Sequence, residues 1–218
     1  MECVVLTDFD GTMVTIDTAQ YLLAKFAPKD WQVIEEQFEN GEMTFEESLA
    51  KEFILLRASK QEMLDALEPA THFRPNFQKM VDYCTGQGFR LVVVSGGLDF
   101  CIRHFLALKG WSNLEVYAPR AKLTENGIEL SFPNRLEELS TNIKDDFVMY
   151  HLKRGRKVVY MRNGVSDYPA VRIANLAFAI KGSKLAQMCR NGGIDCEEIT
   201  DFQQVVESIE EWVSGERK

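Results

Sequence analysis

One stretch of nine residues, Val4-Val5-Leu6-Thr7-Asp8-Phe9-Asp10-Gly11-Thr12, constrains this chain more than any other. Its apolar start reads as a strand buried on both faces, the kind found in parallel sheets. Two carboxylates two positions apart follow, and then a Gly-Thr pair where the backbone can turn sharply. Because side chains alternate along a strand, Asp8 and Asp10 would face the same way if the extended backbone continued. Two acids in one small polar pocket can hold a divalent metal, or divide the work of a nucleophile and a general acid/base. A capped strand end with two solvated acids produces the same letters, and Asp-x-Asp alone does not separate these readings.

Two further apolar runs end in the same manner. Residues 89–94 lead into Ser95-Gly96-Gly97 and an amphipathic helix carrying Phe100, Phe105 and Leu108. A hydroxyl and free backbone N–H groups at a helix N-terminus suit an anion, although a plain strand-to-helix turn looks alike. Residues 157–161 lead into Arg162-Asn163-Gly164-Val165-Ser166-Asp167, after which Pro169 fits the first turn of a helix. Shorter runs at 114–118, 177–180 and 194–199 supply more strands, and Asn126-Gly127 marks a hairpin turn. Lys144 lies near the start of a helix over 143–152, where the helix dipole opposes a cation. In an open parallel sheet, ligands bind at the carboxyl ends of the strands, so the loops at Asp8/Asp10, Ser95 and Asn163/Asp167 can converge on one site.

Between the first two core strands the pattern is helical. Thr18 is placed to cap a helix carrying Tyr21, Leu22 and Phe26, and a second helix runs through Ile34 and Phe38. Thr44-x-x-Glu47 and Ser59-x-x-Glu62 are capping boxes that open a third and a fourth. The expected architecture is α/β: a doubly wound parallel, Rossmann-like core of residues 1–14 and 75–218, with a small helical cap over 15–74 and a β-hairpin. Thr200-x-x-Gln203 should cap a last helix before a frayed tail at 215–218.

A chain of 218 residues with 45% hydrophobic content can build such a core. Its net charge of -8, with no clustered basic stretch, argues against nucleic acid. No segment approaches the roughly 20 apolar residues of a membrane span and no leader precedes the first strand, so a cytoplasmic protein is expected. The five cysteines form no C-x-x-C pair and read as reduced, mostly core residues. His72, His104 and His151 show no ligand spacing, and Trp31, Trp111 and Trp212 read as packing residues.

Taken in order, Asp8-Phe9-Asp10-Gly11-Thr12, Ser95-Gly96-Gly97, Lys144 and the loop 162–167 resemble the four motifs of the haloacid dehalogenase superfamily of phosphohydrolases. The resemblance covers nearly the whole chain. It implies that Asp8 is the nucleophile and takes up the phosphoryl group as an aspartyl phosphate, and that Asp10 protonates the leaving alcohol and then activates water. It further implies that Gly11, Thr12, Ser95, Gly96 and Gly97 bind the phosphate, that Lys144 bridges phosphate and nucleophile, and that Mg²⁺ is held by Asp8, the Asp10 carbonyl, Asn163 and Asp167.

One departure stands out: the family usually has Gly-Asp where this chain has Arg162-Asn163. Asn163 offers a carbonyl oxygen without charge, so Mg²⁺ should bind more weakly, with Asp167 compensating through water. Arg162 is left to contact an anion or to point to solvent. The insertion resembles the cap of the phosphoserine phosphatase branch, with Asp17 as its acid beside the substrate. Glu52 stands where that branch carries an arginine for the substrate's carboxylate, which disfavours phosphoserine. Ser95-Gly96-Gly97-Leu98-Asp99-Phe100 and the hairpin region 115–132 are more similar to the methionine-salvage phosphatases of 2-hydroxy-3-keto-5-methylthiopentenyl-1-phosphate. Two functions are therefore carried forward: a Mg²⁺-dependent phosphomonoesterase for a small phosphorylated metabolite, as monomer or homodimer, and a relative weakened by Asn163 that binds such a metabolite in a regulatory role.

Overall fold

Apolar strands of five or six residues, separated by helices, satisfy their backbones by pairing side by side in parallel. The computed structural model, which describes residues 2–215, builds four of them and two three-residue strands into one parallel sheet in the order β3-β2-β1-β6-β7-β8. These are β1 (Cys3–Thr7), β2 (Arg90–Val94), β3 (Glu115–Tyr117), β6 (Lys157–Arg162), β7 (Leu176–Ile180) and β8 (Glu197–Ile199). The hairpin forms as expected from β4 (Arg120–Thr124) and β5 (Gly127–Ser131). Of the frayed tail expected at 215–218, residues 216–218 lie outside the described residues, and Gly215 is the C-cap of the last helix.

Alternation along the strands makes two cores. Val5, Val93, Val159, Met161 and Phe178 pack on one face with residues of α5 (Phe77–Gln87), α6 (Asp99–Leu108) and α10 (Phe202–Ser214). Val4, Leu6, Val92, Val158 and Tyr160 pack on the other with residues of α7 (Ile143–Leu152), α8 (Tyr168–Val171) and α9 (Lys184–Gly192). This is the doubly wound arrangement. Register matters for the site: Thr7 lies opposite Val93 on one side and Met161 on the other, so β1, β2 and β6 end together.

After β1 the chain makes one wide turn over Phe9–Met13 and leaves the sheet. It returns alongside itself: Val14 and Phe73 form an antiparallel bridge, the Thr15 amide donates to the His72 carbonyl at 2.9 Å, and the Arg74 amide to the Met13 carbonyl at 2.7 Å. Four helices lie in between, α1 (Thr18–Phe26), α2 (Trp31–Glu39), α3 (Phe45–Phe53) and α4 (Lys60–Leu67), with β5 packed against α3. Both capping boxes form, at Thr44/Glu47 and Ser59/Glu62.

Two expected caps move by one residue. Asp17, not Thr18, caps α1, because its carboxylate takes the Gln20 amide at 2.9 Å while the Thr18 hydroxyl is drawn to Asp10. Asp201 with Gln204, not Thr200 with Gln203, caps α10 for the same reason: a carboxylate next to a hydroxyl wins the helix N–H groups. Strand β6 also runs one residue further than the apolar run, through Arg162.

Candidate active site

At the end of β1 the Asp8 amide still donates to the Met161 carbonyl, 3.2 Å away, so the strand holds the carboxylate rigidly. One oxygen, Oδ1, accepts from the Phe9 amide at 2.7 Å. The other, Oδ2, meets Lys144 Nζ at 3.3 Å and Arg162 Nη1 at 2.8 Å. Burial pushes this carboxyl up, but the two cations outweigh it and hold Asp8 below the usual carboxylate range.

Asp10 sits in the turn and is managed differently. Its Oδ1 accepts from the Thr18 amide at 2.8 Å and from the Thr18 hydroxyl, and Ser95 Oγ lies 3.5 Å from its Oδ2. Burial, together with the charges of Asp17 and Asp8, pushes Asp10 up to about 8. The two acids of the motif are thus driven in opposite directions.

Three glycines make this approach possible. Gly11 has φ +63°, and a side chain there would run into Asn163. A Cβ on Gly97 would stand 2.5 Å from Asp10 Oδ2, and one on Gly96 would stand 2.6 Å from the Phe45 ring of α3. Thr12 donates its hydroxyl to Asn163 Oδ1 at 3.3 Å, and the Gly97 amide donates to Ser95 Oγ at 3.2 Å.

Lys144 is delivered by the first turn of α7. Asn142 caps that helix, and Glu46 of α3 accepts from the Ile143 amide at 2.8 Å, so an inserted helix completes the same turn. The ammonium lies 2.7 Å from Asp167 Oδ1 and 2.9 Å from Ser166 Oγ as well as near Asp8. Asp167 has no exposed surface; it also accepts from the Tyr160 hydroxyl at 3.1 Å and the Gly164 amide at 3.0 Å.

Arg162 does not reach solvent. It is fully buried on the face of Tyr160, with its guanidinium carbon 4.8 Å from that ring and its Nε 3.8 Å from Asp167 Oδ1. Of the two roles open to it, contact with an anion holds, and the anion is the protein's own Asp8. Burial works against its charge, but Asp8 and Asp167 help to reverse that and leave its ionisation firmer than usual.

A cavity of about 330 Å³ opens above these groups. It gathers Asp8, Asp10, Asp17, Ser95, Gly96, Gly97, Lys144 and Asn163, all singled out from the sequence. Gly11, Thr12 and Asp167 lie outside its lining and support it from beneath or beside. Sequence reasoning passed over Glu35, Glu39 and Lys184, which line its mouth, and the part Glu46 plays beside Lys144. These positions carry no local signal, since a polar helical residue over a cavity reads like one over water. Burial and nearby carboxylates raise Glu35, burial above all raises Asp17, and burial pushes Glu52 up to about 7. None of the three histidines lines the cavity.

The family model of haloacid dehalogenase-like hydrolases matches residues 5–172, well over half of the chain. The chain belongs to this family. A 2-hydroxy-3-keto-5-methylthiopentenyl-1-phosphate phosphatase of Brevibacillus brevis is 25% identical over 95% of both chains. The Pdp3-interacting factor 1 of Schizosaccharomyces pombe is 24% identical over 94% of both. Among solved structures, a substrate-bound phosphoserine phosphatase superposes with a TM-score of 0.71 at 20% identity, covering 95% of this chain and 98% of that one. Family and relatives together mark a phosphatase-type hydrolase with the α/β fold expected. Phosphatases of this superfamily generally depend on a divalent metal. Among the described residues no helix is long and apolar enough to cross a membrane.

Proposed function

We propose that this protein is a phosphomonoesterase that transfers the phosphoryl group of a small metabolite to Asp8 and then hydrolyses the aspartyl phosphate. One observation carries the reading: two carboxylates line one cavity with opposed proton affinities, Asp8 held ionised and Asp10 holding its proton near neutral pH. An Asp8 oxygen attacks phosphorus, the ester P–O bond breaks, and Asp10 gives its proton to the departing alkoxide. Asp10, now ionised, takes a proton from a water that attacks the acyl phosphate, which frees inorganic phosphate and regenerates Asp8. Ser95, the amides of its loop and Lys144 oppose the charge on the phosphoryl oxygens. Residues 15–74 serve as the cap and 1–14 with 75–218 as the catalytic core.

The substrate's remaining atoms meet Asp17, Glu35 and Glu52. These three acids, ionised or protonated, offer a carboxylate tail no counter-charge, so phosphoserine is a poor fit and a phosphate ester with a neutral or cationic tail a good one. A phosphate ester whose keto-enol tail carries no charge, the type named for the Brevibacillus relative, satisfies that condition.

Mg²⁺, expected from the family, does not fit the residues present. Asp8 Oδ2 already faces two cations, Asn163 is uncharged with its oxygen on Thr12, and Asp167 is enclosed by Lys144, Arg162 and Tyr160. Among the described residues no cluster of three or more His, Cys, Asp or Glu is arranged to hold a metal. The steps above therefore use side chains alone. The same crowding on Asp8 favours a second reading, a phosphometabolite-binding protein with little turnover, because a carboxylate held by two cations is a weaker nucleophile.

Hydrolysis of p-nitrophenyl phosphate by the intact chain and by Asp8→Asn decides between them. Turnover that disappears in Asp8→Asn supports the esterase. Absence of turnover in the intact chain, together with saturable phosphate binding by calorimetry, establishes the binding protein.

A further inference from the structure

We infer that Arg162 is a built-in counter-cation that takes the place of a divalent metal beside Asp8, so that this site neither needs nor admits one. For turnover the inference rests on the phosphatase reading above; for metal exclusion it stands on the geometry alone.

Charge makes the first argument. Two carboxylate side chains, Asp8 and Asp167, are enclosed with two basic ones, Lys144 and Arg162, at contact distances of 2.7 to 3.8 Å. Their formal charges cancel. A divalent ion entering it would bring two uncompensated charges into a poorly solvated pocket, where such charge is costly. Replacing Gly-Asp by Arg-Asn adds one positive charge and removes one negative, which equals the charge of the ion displaced.

Donor atoms make the second. Mg²⁺ needs near-octahedral oxygen ligands, usually including a carboxylate free to turn toward it. Both Asp8 oxygens are engaged, by the Phe9 amide and by the two cations. The Asn163 oxygen is engaged by Thr12, and the Asp167 side chain has no exposed surface.

The guanidinium itself makes the third. All three Arg162 nitrogens are buried without an aligned hydrogen-bond acceptor, so the contact with Asp8 at 2.8 Å is ionic rather than a directed hydrogen bond. A buried cation this poorly hydrogen-bonded is costly as a packing element; its return is electrostatic. Arg162 does not line the cavity, so it acts on the reaction through Asp8 and is a positioning residue. Unlike a bound ion, it cannot be chelated, and it stays charged across the working pH range.

The test uses the full chain freed of metal by EDTA, with Mn²⁺ as the probe, read by electron paramagnetic resonance, and p-nitrophenyl phosphate hydrolysis read in EDTA and in Mg²⁺. The intact protein should leave Mn²⁺ free at millimolar concentration and hydrolyse equally in both buffers. Arg162→Gly combined with Asn163→Asp should bind Mn²⁺ about 10- to 100-fold more tightly and lose hydrolysis in EDTA. Asn163→Asp alone, with the guanidinium retained, should gain neither property. Tight Mn²⁺ binding by the intact chain, or hydrolysis that EDTA abolishes and Mg²⁺ restores, would overturn the inference. So would a single Asn163→Asp variant that binds Mn²⁺ as well as the double. If the intact chain hydrolyses nothing in either buffer yet leaves Mn²⁺ free, the phosphatase reading fails and the counter-cation remains. Should the double variant not fold, judged by circular dichroism, the intact chain and Asn163→Asp still give the answer.

Discussion

The ion pair between Asp8 and Arg162 has a measurable energy. At 2.8 Å, two unit charges in a medium of effective dielectric about 20 attract by about 6 kcal/mol, an upper bound before desolvation. Removing one partner of a buried pair typically costs about 3–5 kcal/mol, since the survivor is left in a poor solvent. Arg162→Met leaves Asp8 and Asp167 sharing only Lys144, and Asp8→Asn leaves Arg162 and Lys144 sharing only Asp167. The double variant restores balance, because Lys144 and Asp167 remain as one pair at 2.7 Å. Urea unfolding of the four proteins should therefore show each single variant losing about 3 kcal/mol, and the double losing about 2–3 kcal/mol less than the sum. In a chain of this size each kcal/mol moves the melting temperature by about 2–4 °C, so each single variant should melt about 6–12 °C lower. Losses that add within about 0.5 kcal/mol would show that the two groups do not sense each other, and the charge argument for the site would fall.

Three further outcomes follow from the same geometry. Asp10→Asn keeps the shape but not the proton, so hydrolysis of an alkyl phosphate should fall about 10²- to 10⁴-fold while p-nitrophenyl phosphate, whose leaving group needs no proton, falls far less; equal losses would remove Asp10 as the acid. Glu52 is raised by burial from 4.5 to about 7, so the stability tied to its neutral form is complete below about pH 4.5 and lost as pH rises through about 7. Glu52→Gln, which can keep the Ser48 hydrogen bond, should therefore raise the melting temperature at pH 8 by an amount worth up to about 3 kcal/mol and change little at pH 4, and a gain of the same size at both would contradict the shift. Gly96→Ala drives a methyl against Phe45 and Leu49, so it should raise KM through a displaced α3; an unchanged KM would mean that α3 does not set the cavity.

How much of this was legible depended on the range of the cause. The apolar runs of β1, β2 and β6 are local signals, and a strand end followed by Asp-Phe-Asp-Gly-Thr or Ser-Gly-Gly leaves few other folds open. Capping boxes at Thr44 and Ser59 were legible because both partners lie within four residues. The caps of α1 and α10 slipped by one where an acid and a threonine adjoin, at Asp17-Thr18 and Thr200-Asp201, since the choice depends on what else claims the hydroxyl. Thr18 is claimed by Asp10, a contact between an inserted helix and the core that no local pattern encodes. Glu35 and Lys184 reach the cavity mouth only through the packing of α2 and α9.

Arg162 belongs between these cases. Strand parity alone decides where it points: Val158, Tyr160 and Arg162 alternate with Val159 and Met161, and the first set shares its sheet face with Leu6 and therefore with Asp8. An arginine one position earlier would lie on the opposite face, and one position later it would enter the cavity where Asn163 now stands. At the last residue of β6 a long cation reaches Asp8 without lining the cavity. The guanidinium therefore adds its charge beside Asp8 without joining Ser95, Gly96, Gly97 and Lys144 in the cavity lining. Under the proposed function, a cation at this position would alter which ion the site accepts and how basic Asp8 is, while Asp17, Glu35 and Glu52 still line the cavity for the substrate's tail.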